Sequence, residues 1–408
     1  MRLRGLLLVL GSLAVILLGI YTLPLMRGAE QPPVALSPPD PTATLEQATE
    51  AVKSSRSPTR DEWNRLEVEA AKGDPVAMNN LGVAHWRTRG GKDKAQTWFE
   101  KAAAMGDIPA RYNLALTLPD KSKTDPEIIQ RRLALLQQNV DAGDIPSMAA
   151  LARSLYFKNR EEFVPDREDR RLSLLRQAAA SGDANYLATL GNVLWKELRG
   201  GADPALVSET LMVLKQAYDK GDPRGAETIG DILSRAQPDV KAALPPVLAE
   251  TGIEPDALLW YQRAADMDLI TARCEYGFEV FKTRDWTRNP DMSLIERHFR
   301  AGPDVLGNSP KVISRAIAEL ETCAGNPKRT RSPKRPFGGP SLYAYKLRGT
   351  YTSMSNQAGW ANMTLGVLYG YGITVERDRE RAIQYLDIAI KDHDFTIASE
   401  IKAALPDF

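Results

Sequence analysis

The chain has 408 residues and carries 53 Lys+Arg against 52 Asp+Glu. That balance leaves no global field to draw in nucleic acid or an anionic membrane surface, and it argues against a dedicated nucleic-acid binder. Length decides little, because it suits either two or three globular domains or one array of short units.

The first element is apolar. From Gly5 to Met26 the run "GLLLVLGSLAVILLGIYTLPLM" has no charged residue, and as a helix it is about long enough to cross a hydrocarbon layer of roughly 30 Å. Residues 1–27 are therefore read as a transmembrane signal anchor. Arg2, Arg4 and the α-amino group precede the run, which predicts a cytoplasmic N-terminus, a single pass through the inner membrane at residues 5–26, and the bulk of the chain in the periplasm. The competing reading is a cleaved secretory signal and a secreted product. Against it, the apolar core is longer than such signals usually have, and Arg27 occupies the −3 place relative to a cut after Ala29. A buried helix is the third reading. Residues 28–58 follow as a spacer, since five prolines between Pro32 and Pro41 forbid a helix or a sheet ladder there.

Beyond the spacer the sequence repeats itself. Gly73, Gly106, Gly143, Gly182 and Gly221 are each followed by Asp, at separations of 33, 37, 39 and 39 residues, and periods in that range mark helical solenoids. Before Gly106 stand Ala95, Trp98, Phe99, Ala102 and Ala103; before the equivalent Asp268 stand Ala257, Trp260, Tyr261, Ala264 and Ala265; before His393 stand Ala382, Tyr385, Leu386, Ala389 and Ile390. That spacing is one face of a helix. After Gly73 come Ala77, Leu81, Gly82 and His85, and the last strong unit has Ala361, Leu365, Gly366 and Tyr369 in the same places. A second helix is implied, with small residues where two backbones approach. The Gly-Asp-Pro punctuation then has a mechanism: glycine ends one helix in the left-handed conformation, aspartate caps the next, and proline at its first position loses no hydrogen bond.

These residues resemble the Sel1-like repeat family, relatives of tetratricopeptide repeats with a slightly longer period. The resemblance is strongest in residues 62–119, through "DPVAMNNLGVAHWRTRGGKDKAQTWFEKAAAMGD", and again in 357–395, where Gly370-Tyr371-Gly372-Ile373 matches the family's glycine loop. It implies an all-α, right-handed α-solenoid of helix pairs behind the transmembrane helix. Residues 59–301 form the solenoid, degenerate from about 120, where "FKNREEFVPDRED" and "RAQPDVKAALPPVLAETGIEPDA" read as inter-helix loops without the family's glycines. Residues 302–356 read as a modified unit with an insertion, a helix at about 310–323 and a basic loop. Residues 357–408 read as the C-terminal repeat and cap.

Chemistry is sparse. His85, His298 and His393 are the only histidines, and none stands at metal-ligand spacing from another. His85 sits where the family has an aromatic, and His393 where it has the inter-repeat glycine. No nucleophile elbow and no phosphate loop occurs, so no cofactor and no metal are expected, and a small-molecule ligand is not indicated. Lys328, Arg329, Arg331, Lys334 and Arg335 lie in one proline-punctuated loop that could hold an anionic glycan, a lipid headgroup or an acidic protein, or could be plain solvated surface. Cys274 and Cys323 are the only cysteines. Export makes a disulfide between them possible. Read as lying on the first helices of neighbouring units, near the start and at the end, they would be offset by about 12 Å at 1.5 Å per residue, more than one bridge spans. Both the bonded and the free state stay open.

The functional expectation is a non-catalytic, membrane-anchored interaction scaffold that binds a protein or an extended peptide on the concave face of the solenoid. With first helices lining the inner curve, Asn80, Arg87 and Asn113 would be exposed there to a partner. The resemblance implies roles in envelope assembly, secretion, host interaction or control of a signalling receptor. The alternatives are a regulator of such a membrane system and, as a third class, an enzyme acting on cell-wall glycan through paired carboxylates.

Overall fold

The structure is a computed structural model that describes residues 43–54, 56–119, 125–156, 164–198, 201, 203–283, 308–325, 354–393 and 396–406. Among them every regular element is helical and there is no strand. The Gly-Asp junctions explain why. At the first, Gly73 sits at φ +94°, and the amides of Gly73 and Asp74 turn back to the carbonyls of Ala70 and Glu69, both at 3.1 Å. Asp74 Oδ1 then accepts from the amides of Val76 (2.7 Å) and Ala77 (3.0 Å), and Pro75 opens the next helix. Orphan carbonyls of one helix and orphan amides of the next are thus satisfied within three residues. Asp107, Asp144, Asp183 and Asp222 cap their helices in the same way. At the sixth junction Asp268 itself holds the left-handed conformation, at φ +62°.

The result is two layers. An inner layer contains α1 (Leu45–Lys53), α3 (Pro75–Arg87), α5 (Ile108–Thr117), α7 (Ile145–Ser154), α9 (Ala184–Glu197), α11 (Pro223–Arg235), α14 (Ile270–Phe281), α16 (Met354–Tyr371) and α18 (Thr396–Ala403). The outer layer contains α2 (Arg60–Ala71), α4 (Lys92–Ala104), α6 (Pro126–Asp141), α8 (Arg167–Ala179), α10 (Pro204–Asp219), α13 (Ala257–Asp266), α15 (Pro310–Ala324) and α17 (Arg379–His393), with α12 (Pro238–Thr251) inserted between α11 and α13. Each helix packs on its neighbours along the chain except α12, which packs on α10 and leaves α11 to meet α13 directly. The Leu-Gly pair sets the register within a hairpin. A methyl group at Gly82 would lie 2.4 Å from the Phe99 ring, and the same close approach joins Gly191 to Leu214, Gly230 to Tyr261, Gly277 to Leu320 and Gly366 to Leu386. Phe99 and Tyr261 are fully buried in these contacts, each worth about 1.5–3 kcal/mol relative to exposure. Layer position is legible in burial: residues 77–84 of α3 and 361–370 of α16 are buried without interruption, whereas outer helices alternate buried and exposed positions.

Three expectations need correction. The stretch read as spacer contains α1. Thr44 and Gln47 form a capping box there, and Ala48, Ala51 and Val52 are buried, so a short apolar face outweighs nearby proline. The stretch "RAQPDVKAALPPVLAETGIEPDA", read as loop, folds as α12: Pro238 opens it, Val240, Leu244, Val247 and Leu248 supply a buried stripe, and Gly252 at φ +65° ends it. Pro245 and Pro246 lie inside this helix. Finally, the helix expected at 310–323 is present as α15, but it is the outer partner of α14 and not the first helix of its own unit, as the Gly277–Leu320 contact shows. That register places Cys323, near the end of one helix, beside Cys274, near the start of its antiparallel neighbour. They are joined in a disulfide with the Cα atoms 5.4 Å apart. The axial-offset argument failed because it assumed parallel helices.

Among the described residues no helix is long and apolar enough to cross a membrane. The span expected at 5–26 and the basic residues Lys328, Arg329, Arg331, Lys334 and Arg335 lie outside them.

Candidate partner-binding surface

The inner layer is stitched across units by polar side chains. Asn80 Nδ2 donates to Thr49 Oγ1 at 3.0 Å, Asn113 Nδ2 to Asn79 Oδ1 at 2.7 Å, and Thr228 Oγ1 to Asn192 Oδ1 at 2.9 Å. Further along, Arg235 pairs with Glu275, whose other oxygen accepts from Gln357 Nε2 at 2.8 Å. These bonds hold consecutive first helices in register, and a buried polar group without such a partner would cost free energy.

They also change the reading of the three residues expected to meet a partner. Asn80 and Asn113 are each only 2% exposed, and Arg87 is half-buried, with Nη2 donating to Val52 O at 2.8 Å. α1 covers Asn80 and Arg87, and the neighbouring helix takes Asn113. Their polarity serves the stack, so none of the three is presented to solvent as expected. In the central units Arg153, Tyr156 and Lys196, at or just past the C-terminal ends of α7 and α9, are exposed, and Asn192 and Asp231 are half-buried.

The outer layer is tied by ion pairs, one between each of several neighbouring second helices. Arg131 meets Glu100 at 2.9 Å, Arg176 meets Glu209 at 2.7 Å, Arg315 meets Asp266 at 2.5 Å and Arg381 meets Glu321 at 2.5 Å. Around the last pair, Arg381 lies 4.1 Å above the Tyr369 ring, while Tyr369 Oη donates to Glu321 at 3.0 Å. Burial, with that bond, pushes the Tyr369 hydroxyl up to about 12.

Buried guanidinium groups form a third set. Arg132 donates to Ser154 Oγ at 3.0 Å, to Leu118 O at 3.0 Å and to Ala115 O. Arg167 donates to Leu155 O at 3.1 Å and Tyr156 O at 3.4 Å. Each closes the carbonyl end of the preceding inner helix, where the dipole also favours a cation. At the N-terminal end, the Arg56 guanidinium and the Thr59 amide hold the Glu62 carboxyl down to about 2. Among the described residues no cluster of three or more His, Cys, Asp or Glu side chains could hold a metal ion. His85 packs edge-on against Trp63, with ring centroids 4.9 Å apart, and burial lowers its pKa.

The Sel1 repeat pattern matches residues 75–107, 254–269 and 361–394. Those three segments are similar to Sel1 repeats. The matches fall on α3 with α4, on α13 and its junction, and on the α16–α17 hairpin. No curated protein matches the sequence. Among solved structures, a Sel1 repeat protein from Oxalobacter formigenes is similar over 89% of this chain and 86% of its own, at 15% identity and a TM-score of 0.49. A protective antigen present in uropathogenic Escherichia coli strains and displaying an SLR fold aligns over 84% of this chain and 74% of its own, at 16% identity and a TM-score of 0.40. An immunity protein from Pseudomonas aeruginosa aligns over 55% of this chain and 82% of its own, at 16% identity and a TM-score of 0.31.

Proposed function

We propose that this Sel1-repeat protein is a non-catalytic scaffold anchored in the inner membrane by residues 1–27, with the stack from residue 43 onward held in the periplasm to dock a protein or extended peptide. The observation that carries the docking reading is the continuous inner layer, sealed by α1 over the first units and by the uninterrupted burial of α16 near the other end, with accessible polar and aromatic side chains at Arg153, Tyr156, Asn192, Lys196 and Asp231 between. A surface with exposed Tyr and Arg is the kind that concentrates binding energy in few residues. The apolar, charge-free run at 5–26 supports the anchor.

Site-specific photocrosslinking tests this in cells. A crosslinker at Lys196 should capture a discrete partner band, and one at Lys101, on the outer layer over Trp98, should not. Equal capture at both sites, or capture at neither, would remove the docking reading. Deleting residues 1–27 should move the protein from the membrane to the soluble fraction, and retention in the membrane would remove the anchor.

A further inference from the structure

Helix α12 departs from the two-helix repeat. It packs on α10 while α11 meets α13 directly, and its other flank borders a cleft of about 610 Å³. Among the described residues, Leu244 and Leu248 of α12 form one wall, and Leu233 of α11, Leu258 of α13 and Val280 of α14 form the other. Leu233 and Leu258 are only half-buried, so apolar surface is left for a ligand to cover. A largely apolar cleft of that volume, with few polar groups, has the make-up of a binding site.

Bonds at both ends hold the walls in place. Beside α13, the Glu254 carboxylate accepts from two Arg263 nitrogens at 2.9 and 2.8 Å, and the Glu254 carbonyl accepts from Trp260 Nε1 at 2.9 Å. Asp256 Oδ1 accepts from the amides of Leu258 and Leu259 at 2.9 and 3.2 Å. At the other end Ser234 Oγ donates to Glu279 at 2.7 Å, Lys241 Nζ donates to Ser234 O at 3.1 Å, and Lys282 pairs with Glu279. Lys282 does so from the left-handed region, at φ +53°, where a residue other than glycine is strained. Each ionic group that lines the cleft thus already has a partner, and recognition falls to groups that have none.

Such groups lie on the backbone of α12. Pro245 and Pro246 sit inside the helix and have no N–H to give the carbonyls of Lys241 and Ala242, four residues earlier. Lys241 and Pro245, one turn apart, both line the cleft, which puts the Lys241 carbonyl on that side of the helix. We propose that the cleft binds an extended, uncharged segment of a partner protein, its apolar side chains between Leu244, Leu248 and Leu258 and one of its backbone amides donating to Lys241 O. An extended chain supplies both parts, since alternate side chains share a face and its amides are unclaimed. A helical segment has spent its amides internally, and an acyl chain has none. The site uses none of the residues assigned to docking above and does not depend on the membrane anchor.

The test screens purified full-length protein on an array of acetylated hexapeptide amides that vary the second and fourth residues over Leu, Ile, Val, Met, Phe and Ser. The tightest binder is then titrated in solution by fluorescence polarisation. Binders should carry an apolar residue at one or both varied places, and Leu258→Lys should abolish binding. Pro245→Ala is the sharper variant, because its new N–H claims the Lys241 carbonyl. It should weaken the peptide about fivefold, as for one net hydrogen bond, while raising the thermal midpoint, since an interior proline is removed. When the peptide amides are N-methylated one at a time, one change should weaken binding to the wild type by the same factor and leave Pro245→Ala unaffected. No binder on the array, or binding that survives Leu258→Lys, overturns the site. Binding unchanged in Pro245→Ala overturns backbone recognition, and displacement of the peptide by decanoate in that case would make the cleft an acyl-chain site instead.

Discussion

The hairpin α3–α4 and the two hairpins that follow it, α5–α6 and α7–α8, solve one problem by different chemistry. In the first, the chain leaves α3 through Gly90, at φ +77°, and Gly91, where a methyl group would meet His85 O at 2.0 Å. Only glycine fits there, and the turn stays short. In the other two the connections, residues 118–125 and 155–166, contain no glycine. The carbonyls they would have satisfied are met by Arg132 and Arg167, reaching across from the second helix. The Sel1 pattern matches the first hairpin and not the other two, yet the packing persists. What these three hairpins share physically is the pairing of helix-end carbonyls, which a tight turn or a buried guanidinium each supplies.

Arg132→Met is the strongest way to break that equivalence. It leaves Ala115 O and Leu118 O buried without a donor, and we expect a loss of about 3–5 kcal/mol, read as a lower urea midpoint. Arg132→Lys should recover only part of it, since one ammonium cannot reach three acceptors at once. In the glycine-built hairpin the sensitive point is the helix contact: Gly82→Ala pushes a methyl group to 2.4 Å from Phe99 and should cost about 1–3 kcal/mol. Gly73→Ala meets open space and should cost only about 1 kcal/mol of backbone strain. The converse test is Asp268→Gly. Relieving a left-handed aspartate should raise stability by about 1 kcal/mol, less whatever the exposed pair with Arg273 contributes; no gain in thermal midpoint would mean that Asp268 is not strained. The smallest effect is acid sensitivity at the N-terminal end. Glu62 has a folded pKa of about 2 against roughly 4.3 when unfolded. Its contribution is complete above the unfolded value and fades as pH falls from about 5 toward 2, so exchange in α1 and α2 should rise first on acid titration, and Glu62→Gln should abolish the difference.

Much of this was readable beforehand. The Gly-Asp punctuation located the junctions, including Asp268 in place of glycine, and the small-residue positions marked the close approaches at Gly82 and Gly366. What escaped has a common cause: tertiary cover is invisible to periodicity. α1 is a weak, short helix that exists because α2 and α3 receive it, and α12 keeps its helix despite two internal prolines because Val240 and Leu244 are buried. Asn80 and Asn113 looked like surface polar residues, since nothing local says that a neighbouring helix will accept their hydrogen bonds. The cysteine pairing stayed open for the same reason: the offset argument took both helices as parallel first helices, whereas α15 packs antiparallel to α14 and brings Cys323 to Cys274.

The two rails of side chains that run along the molecule differ in how they feel the solvent. Added salt screens the outer carboxylate–guanidinium contacts within a Debye length of about 8 Å at physiological ionic strength, while the enclosed amide and hydroxyl contacts such as Asn113 with Asn79 are untouched. Ionic strength should therefore loosen the outer edge of the joints at Glu100, Glu209, Asp266 and Glu321 and leave the inner edge clasped, so that each such joint hinges on its buried side without coming apart.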